Sequence, residues 1–206
     1  MGDFKLAYPE TSAAEGLYSN NKKDFGAETY GGISRRFWPD SEVWQHIDGF
    51  KHHPNFAVNP NATIEHDFMK PLVERFYRVN FWDAINGDEI PEHNIAAYLY
   101  DIAVNKGVND AVEYLQTGCN ISNRNGRDWG DIIIDGDLGN KTIEALTAWI
   151  DKRSAWPCLI ILAANIIYHW QLQAVRFPEQ QEFINGILAR HLKRYAKLAK
   201  QYSGVF

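Results

Sequence analysis

Pro91-Glu92-His93-Asn94-Ile95-Ala96-Ala97-Tyr98-Leu99-Tyr100-Asp101-Ile102-Ala103-Val104-Asn105-Lys106-Gly107 decides the fold class. Ile95, Tyr98, Leu99 and Ile102 recur at the three- and four-residue steps that line one face of an α-helix. Pro91 suits the opening of a helix and Gly107 its close. Immediately downstream, Asn109 is placed to cap a second helix through Gln116, with Gly118 as its stop.

The same periodicity runs outward. Residues 61–84 read as helix, restarted or kinked at Pro71, with Val73, Phe76, Tyr77 and Phe81 at helical spacing. Asn86-Gly87-Asp88 is a break. On the C-terminal side, residues 119–139 read as a polar loop with a strand-like run, Ile132 to Ile134. Helix is expected over about 140–150, again from Pro157 to about Val175, and from Pro178 onward. The last helix has Phe183, Ile187, Leu188, His191 and Tyr195 as its inner stripe. Its outer, basic face carries Arg190, Lys193, Arg194, Lys197 and Lys200. Toward the N-terminus, a short helix is expected from Pro9 to Glu15, stopped by Gly16. Residues 19–34, with Gly26, Gly31 and Gly32, read as a loop or small hairpin. The fold class is therefore mainly α, with a small β or loop element.

Composition narrows the function classes. The chain has 206 residues, 45% hydrophobic and 23% charged, as in an ordinary globular protein. A net charge of −5 argues against a nucleic-acid partner, which favours a basic excess. It also gives no attraction to an anionic cell wall. Aromatics reach 14%, which suits either a large core or a cleft for flat sugar faces. Cys119 and Cys158 are the only cysteines, read as two buried thiols. The first residues hold no long apolar run and are not read as a signal peptide, so synthesis in the cytoplasm is expected. The apolar stretch Leu159 to Tyr168, interrupted by Asn165, is too short to span a bilayer, and no stable membrane insertion is expected.

Chemistry concentrates near the N-terminus. Glycoside hydrolysis needs a protonated carboxyl for the leaving oxygen, and a second polar group that positions water or stabilises the oxocarbenium ion. Glu15 is expected at the negative end of a helix dipole, just before the turn at Gly16. That setting raises a carboxyl pKa if the group is also buried. Asp24 and Thr29 follow, a carboxylate and a hydroxyl able to orient a water, with Glu28 the other carboxylate in reach. Read alone, this spacing also describes an ordinary surface loop.

The motifs extend further. Glu15-Gly16-Leu17-Tyr18-Ser19-Asn20, Asp24-Phe25-Gly26-Ala27-Glu28-Thr29 and Gly32-Ile33-Ser34 resemble the signature of the secretion-activator N-acetylmuramidases. These are glycoside hydrolase family 108, found in phages and Gram-negative bacteria. The family pattern is Glu-Gly-Gly-Tyr, then Asp-x-Gly-Gly-x-Thr, then Gly-Ile-Ser. Tyr77-Arg78-Val79-Asn80-Phe81-Trp82-Asp83 resembles the family's Tyr…Tyr-Trp segment. Asp101 to Gly107 with Leu115-Gln116, Asp135-Gly136-Asp137-Leu138-Gly139-Asn140-Lys141-Thr142, and Phe177-Pro178-Glu179-Gln180 with Phe183 and Gly186 resemble a C-terminal peptidoglycan-binding region.

The resemblance implies a lysozyme-like helical fold, with residues 1–88 as catalytic region and 89–206 as a helical peptidoglycan-binding region packed against it. It implies hydrolysis of the β-1,4 bond between N-acetylmuramic acid and N-acetylglucosamine, with Glu15 as the motif glutamate. Asp24 and Thr29 are assigned as water-positioning partners by analogy with phage-type lysozymes. Tyr18, Asn20, Glu28 and Tyr30 are the expected substrate-binding residues, and Trp38 and Trp44 are divided between core and cleft. Leu17 and Ala27 stand where the family has glycine. A lytic transglycosylase and a non-catalytic wall-binding or secretion-assisting protein are the alternatives. The expected partner is the peptidoglycan glycan strand, reached in the periplasm or wall through a holin or secretion machinery. No cofactor or metal is expected: His46, His52, His53 and His66 lack a zinc spacing, and Asp128, Asp131, Asp135 and Asp137 lack a calcium-loop pattern. Asp135-Gly136-Asp137 is read as a turn that caps the helix at Thr142.

Overall fold

The computed structural model describes residues 1–12, 17–20, 27–178 and 181–202. The chain divides into two compact units, Phe4–Trp82, and Met1–Asp3 with Asp83–Phe206. Among the described residues it is mainly α with one three-stranded sheet, as the periodicity indicated.

In the first unit, α1 spans Phe4–Ser12 and begins five residues earlier than expected, with Pro9 inside it. Phe4, Ala7 and Thr11 are buried at helical spacing. Pro9 and Lys5 are both exposed, so the proline lies on the outer side of the helix, where the loss of one helical donor costs least. Burial of the inner face outweighs that one lost bond. The expected stop at Gly16 lies outside the described residues.

Strands β1 (Ser19–Asn20), β2 (Glu28–Tyr30) and β3 (Ile33–Ser34) form an antiparallel meander. Gly31 and Gly32 join β2 to β3 with φ of 54° and 75°. A two-residue turn with two positive φ angles matches the twist of an antiparallel pair and favours glycine at both places. Helix α2 (Glu42–Phe50) buries Val43, Trp44 and Ile47.

The helix expected over 61–84 is broken twice. Helix α3 (Pro60–Thr63) is capped by Asn59, whose side chain accepts from the Ala62 amide at 3.2 Å. Ile64 is then extended and buried. Helix α4 (His66–Tyr77) runs through Pro71 without a break, again with the proline and its i−4 residue, Asp67, on the exposed side. Residues 78–82 widen into a π-helical turn that buries Phe81 and Trp82.

The second unit is helical. Helix α5 (His93–Lys106) starts two residues after Pro91, because the Glu92 carboxylate caps it by accepting from the Ile95 amide at 2.8 Å. Its predicted face is fully buried, and so are Ala96, Tyr100, Asp101 and Ala103 on the other sides. That all-round burial makes α5 the central helix. Helix α6 (Val108–Ser122) continues through Gly118 rather than stopping there. A Cβ at 118 would lie 3.2 Å from both Trp149 and Ile161, so this glycine serves close helix packing. Ile132 to Ile134 form no strand. Helices α7 (Asn140–Arg153), α8 (Trp156–Arg176) and α9 (Gln181–Tyr202) complete the unit.

Helix α8 packs on α5, α6, α7 and α9. With 21 residues it is longer than the apolar stretch read from the sequence, and by length and composition it is able to cross a membrane. Its buried residues Trp156, Leu159, Leu162, Ala163 and Ile166 belong to the core of this unit. Cys119 and Cys158 are free and buried, as expected. Burial pushes the Cys119 thiol up to about 12 and the Cys158 thiol up as well.

Candidate active site

The meander presents the described part of the motif. Its register pairs Ser19 with Thr29, and Thr29 with Ser34. Cross-strand partners share a face, so three hydroxyl side chains line up across the sheet. Thr29, between them, is half-buried. The opposite face carries Glu28, Tyr30 and Ile33, the last two buried. Asn20 is exposed on the edge strand and pairs with Glu28. Glu15 and Asp24 lie outside the described residues.

Both ends of the meander are pinned by side chains that the sequence did not single out. Asn61 grips the backbone of Tyr18 at two points. Its Oδ1 accepts from the Tyr18 amide at 2.8 Å, and its Nδ2 donates to the Tyr18 carbonyl at 3.1 Å. This pair imitates a β-ladder just before β1. The Tyr18 ring packs edge-on to Phe56 at 5.2 Å, and its hydroxyl donates to Glu28 Oε1 at 2.9 Å. Burial, helped by the Glu28 hydrogen bond, raises the Tyr18 pKa, so this hydroxyl stays a donor.

Glu28 is the hub of an ion network. Its oxygens contact Lys51 Nζ and Arg35 Nε, each at 2.7 Å. Arg35 donates through both terminal nitrogens to Asp48, at 2.9 and 2.6 Å, and its guanidinium lies 4.5 Å over Trp44. That bidentate partner holds the Asp48 carboxyl down at about 2. With the Tyr18 hydroxyl donating to it and Lys51 and Arg35 in ion-pair contact, Glu28 ties Tyr18 to the C-terminal end of α2. No spacing rule would have found these partners, since Arg35, Asp48, Lys51 and Asn61 are spread over 27 residues and meet only through the turns between them.

Tyr30 is only 4% exposed. Its hydroxyl meets His66 Nδ1 at 2.9 Å, and His66 Nε2 meets the Asn61 carbonyl at 2.7 Å. Tyr30 therefore lies behind the sheet and links β2 to α4 and α3. Its pKa is raised by burial. Ala27, where the family pattern has glycine, takes φ 55°. Leu17, the other departure, is 57% exposed.

Trp44 belongs to the core, at 2% exposure, whereas Trp38 is 37% exposed. Trp38 borders a cleft of about 400 Å³ lined also by Phe37, Asp40, Glu42, Arg75 and Asn80. In the second unit, Asp135-Gly136-Asp137 makes the expected turn, with Gly136 at φ 73°. It does not cap α7, whose N-cap is Gly139 without a side-chain bond. Buried Gln116 holds the turn instead. It accepts from the Asp135 and Gly136 amides, both at 3.0 Å, and donates to Asp135 Oδ1 at 2.8 Å and to the Asp137 carbonyl at 3.0 Å.

Comparison with curated proteins gives no match. Among solved structures, the chain resembles that of Brucella abortus SagA, with 21% identity over 93% of this chain and 95% of that one, at a TM-score of 0.56. The likeness shows the fold, which is mainly α and lysozyme-like. The family model described as Glycosyl hydrolase 108 matches residues 8–107. That segment contains the meander, the Glu28 network, Asn61 and α5, and its match supports a glycoside hydrolase.

Proposed function

We propose that this chain is a peptidoglycan N-acetylmuramidase that cleaves the β-1,4 bond between N-acetylmuramic acid and N-acetylglucosamine. The observation that carries the reading is the match of residues 8–107 to the Glycosyl hydrolase 108 family, because it contains the ordered motifs around Glu15, Asp24 and Thr29. In this reading Glu15 protonates the glycosidic oxygen. Asp24 and Thr29 position and deprotonate a water on the opposite face of the sugar, which gives inversion. The register of the meander supports the role of Thr29, since Ser19 and Ser34 flank it with further hydroxyls. Tyr18 and Asn20 contact the glycan, and Glu28 keeps Tyr18 in place. The helical region 89–206 holds the wall. The enzyme acts in the periplasm or wall, delivered by a holin or secretion machinery.

The test is digestion of purified sacculi by the wild type and Glu15→Gln, with mass spectrometry of the soluble fragments. The expected result is release of hydrated, reducing disaccharide products by the wild type and none by the variant. Release of 1,6-anhydro products would establish a lytic transglycosylase instead. Equal clearing by both proteins would remove Glu15 from the mechanism, and no cleavage with retention on sacculi would leave a wall-binding protein.

A further inference from the structure

We propose that the cleft beside Trp38 is a saccharide subsite, which takes a pyranose ring of the glycan strand away from the bond being cut. The proposal deepens the muramidase reading and rests on it for the identity of the glycan. The cleft lies wholly within the Phe4–Trp82 unit. It measures about 400 Å³, within the roughly 300–1,000 Å³ typical of small-ligand sites.

Its walls have the two chemistries a sugar requires. Phe37 and Trp38 are 53% and 37% exposed, a large apolar surface to leave in water on a protein whose other rings mostly pack inward. Trp38 is held edge-on by Phe76 at 5.0 Å and Phe81 at 5.9 Å, so its indole is fixed before any ligand arrives. A rigid indole suits the C–H face of a pyranose at little entropic cost. The rim is polar, with Asp40, Ser41, Glu42, Arg75 and Asn80. Arg75 and Glu42 form an ion pair on this rim, and together offer both donors and acceptors to hydroxyl and acetamido groups. With the guanidinium already opposite a carboxylate, the cleft has no surplus positive charge to favour an acidic stem peptide over a neutral ring.

The cleft also continues the candidate site along the chain. The Trp38 amide donates to the Ser34 carbonyl at 2.9 Å, and Ser34 is the β3 partner of Thr29. One turn therefore connects the hydroxyl row of the meander to the aromatic wall.

The test uses full-length protein carrying Glu15→Gln and peptide-free glycan strands, prepared by amidase digestion of sacculi, titrated by calorimetry. Adding Trp38→Ala is expected to weaken binding about tenfold, and Trp38→Tyr to restore most of it. Phe37→Ser, at a more exposed ring, is expected to weaken binding about threefold, and it decides the matter should Trp38→Ala fail to fold. Unchanged affinity in Phe37→Ser and in folded Trp38→Ala would overturn the subsite. So would a loss seen only with peptide-bearing fragments, because the cleft would then read the stem peptide. If the Trp38 effect is present while the wild type cuts no sacculi, the subsite stands and the muramidase reading falls. If the wild type cuts and both ring variants bind and cut like their parents, only the subsite falls.

Discussion

Asp101→Asn tests what holds α9 on the second unit. Asp101, on α5, is 1% exposed, and its Oδ1 meets Arg190 at 2.8 Å and Arg194 at 3.1 Å, both from α9. Arg194 also donates to the Ala97 carbonyl at 2.8 Å and lies 5.5 Å over the Tyr98 ring. The amide keeps the shape and one acceptor but removes the charge, which leaves two guanidinium groups facing a nearly dry site. Removing one partner of a buried pair costs about 3–5 kcal/mol. Arg190 is 35% exposed and recovers part of its hydration, whereas Arg194 at 12% recovers little. The lower end of that range, about 3 kcal/mol, is therefore expected. At about 2–4 °C per kcal/mol for a chain of this size, Tm should fall by roughly 6–12 °C. Urea unfolding of Asp101→Asn, Arg194→Met and the double variant measures the coupling. The double variant should lose about 1–2 kcal/mol less than the two singles summed. An Asp101→Asn loss under about 1 kcal/mol, or strict additivity, would show that apolar packing alone secures α9.

Three further outcomes follow from the geometry. Asn61→Ala removes both bonds to the Tyr18 backbone, and should cost about 1–2 kcal/mol in thermal unfolding and lower sacculus clearing. Retained stability and activity would mean that β1 is positioned without the clamp. Ala27→Gly relieves an alanine held at φ 55°. The left-handed penalty of about 1–2 kcal/mol exceeds the added chain entropy of about 0.4–1 kcal/mol, so Tm should rise by a few degrees; a fall would place the strain elsewhere. Burial, with Arg190 and Arg194 nearby and Asp101 opposing them, pushes His191 below its ordinary value, beside the Tyr98 ring. The fold then resists a proton that the unfolded chain accepts. Stability should be full above about pH 6.5 and fall as pH drops toward the lowered folded value. His191→Gln should flatten that part of a Tm-against-pH curve, and an unchanged slope would assign the loss to other groups.

The helical class was legible because burial repeats with the helix period. Ile95, Tyr98, Leu99 and Ile102 had to share a face, and the structure buries all four. The Gly31-Gly32 turn was legible for a similarly local reason, since two adjacent positive φ angles favour glycine. The ordered motifs around Glu15 could be read from the sequence as well. Boundaries were not. Pro9 and Pro71 look like helix starts or kinks when read locally. Which side of each helix meets the core decides whether a proline is tolerated there, and in both cases the proline and the residue four before it lie on the exposed side. Gly118 looks like a stop until Trp149 and Ile161 arrive against it from distant positions.

For the candidate site the division is sharper. Residue types and order along the chain were enough to nominate candidates for the chemistry: a glutamate, an aspartate and a threonine within a short stretch. Tertiary structure alone decided the partners of the described residues around them. Glu28 draws its partners Arg35 and Lys51 from beyond the meander, Tyr18 is gripped by Asn61, and Tyr30 turns to His66. It also separated two neighbouring tryptophans, sending Trp44 to the core and leaving Trp38 on a cleft. Hydrogen bonds and ion pairs act over about 3 Å in space whatever the separation in sequence. A pattern with a period of two or four residues therefore records which face is buried, but not which distant side chain meets it.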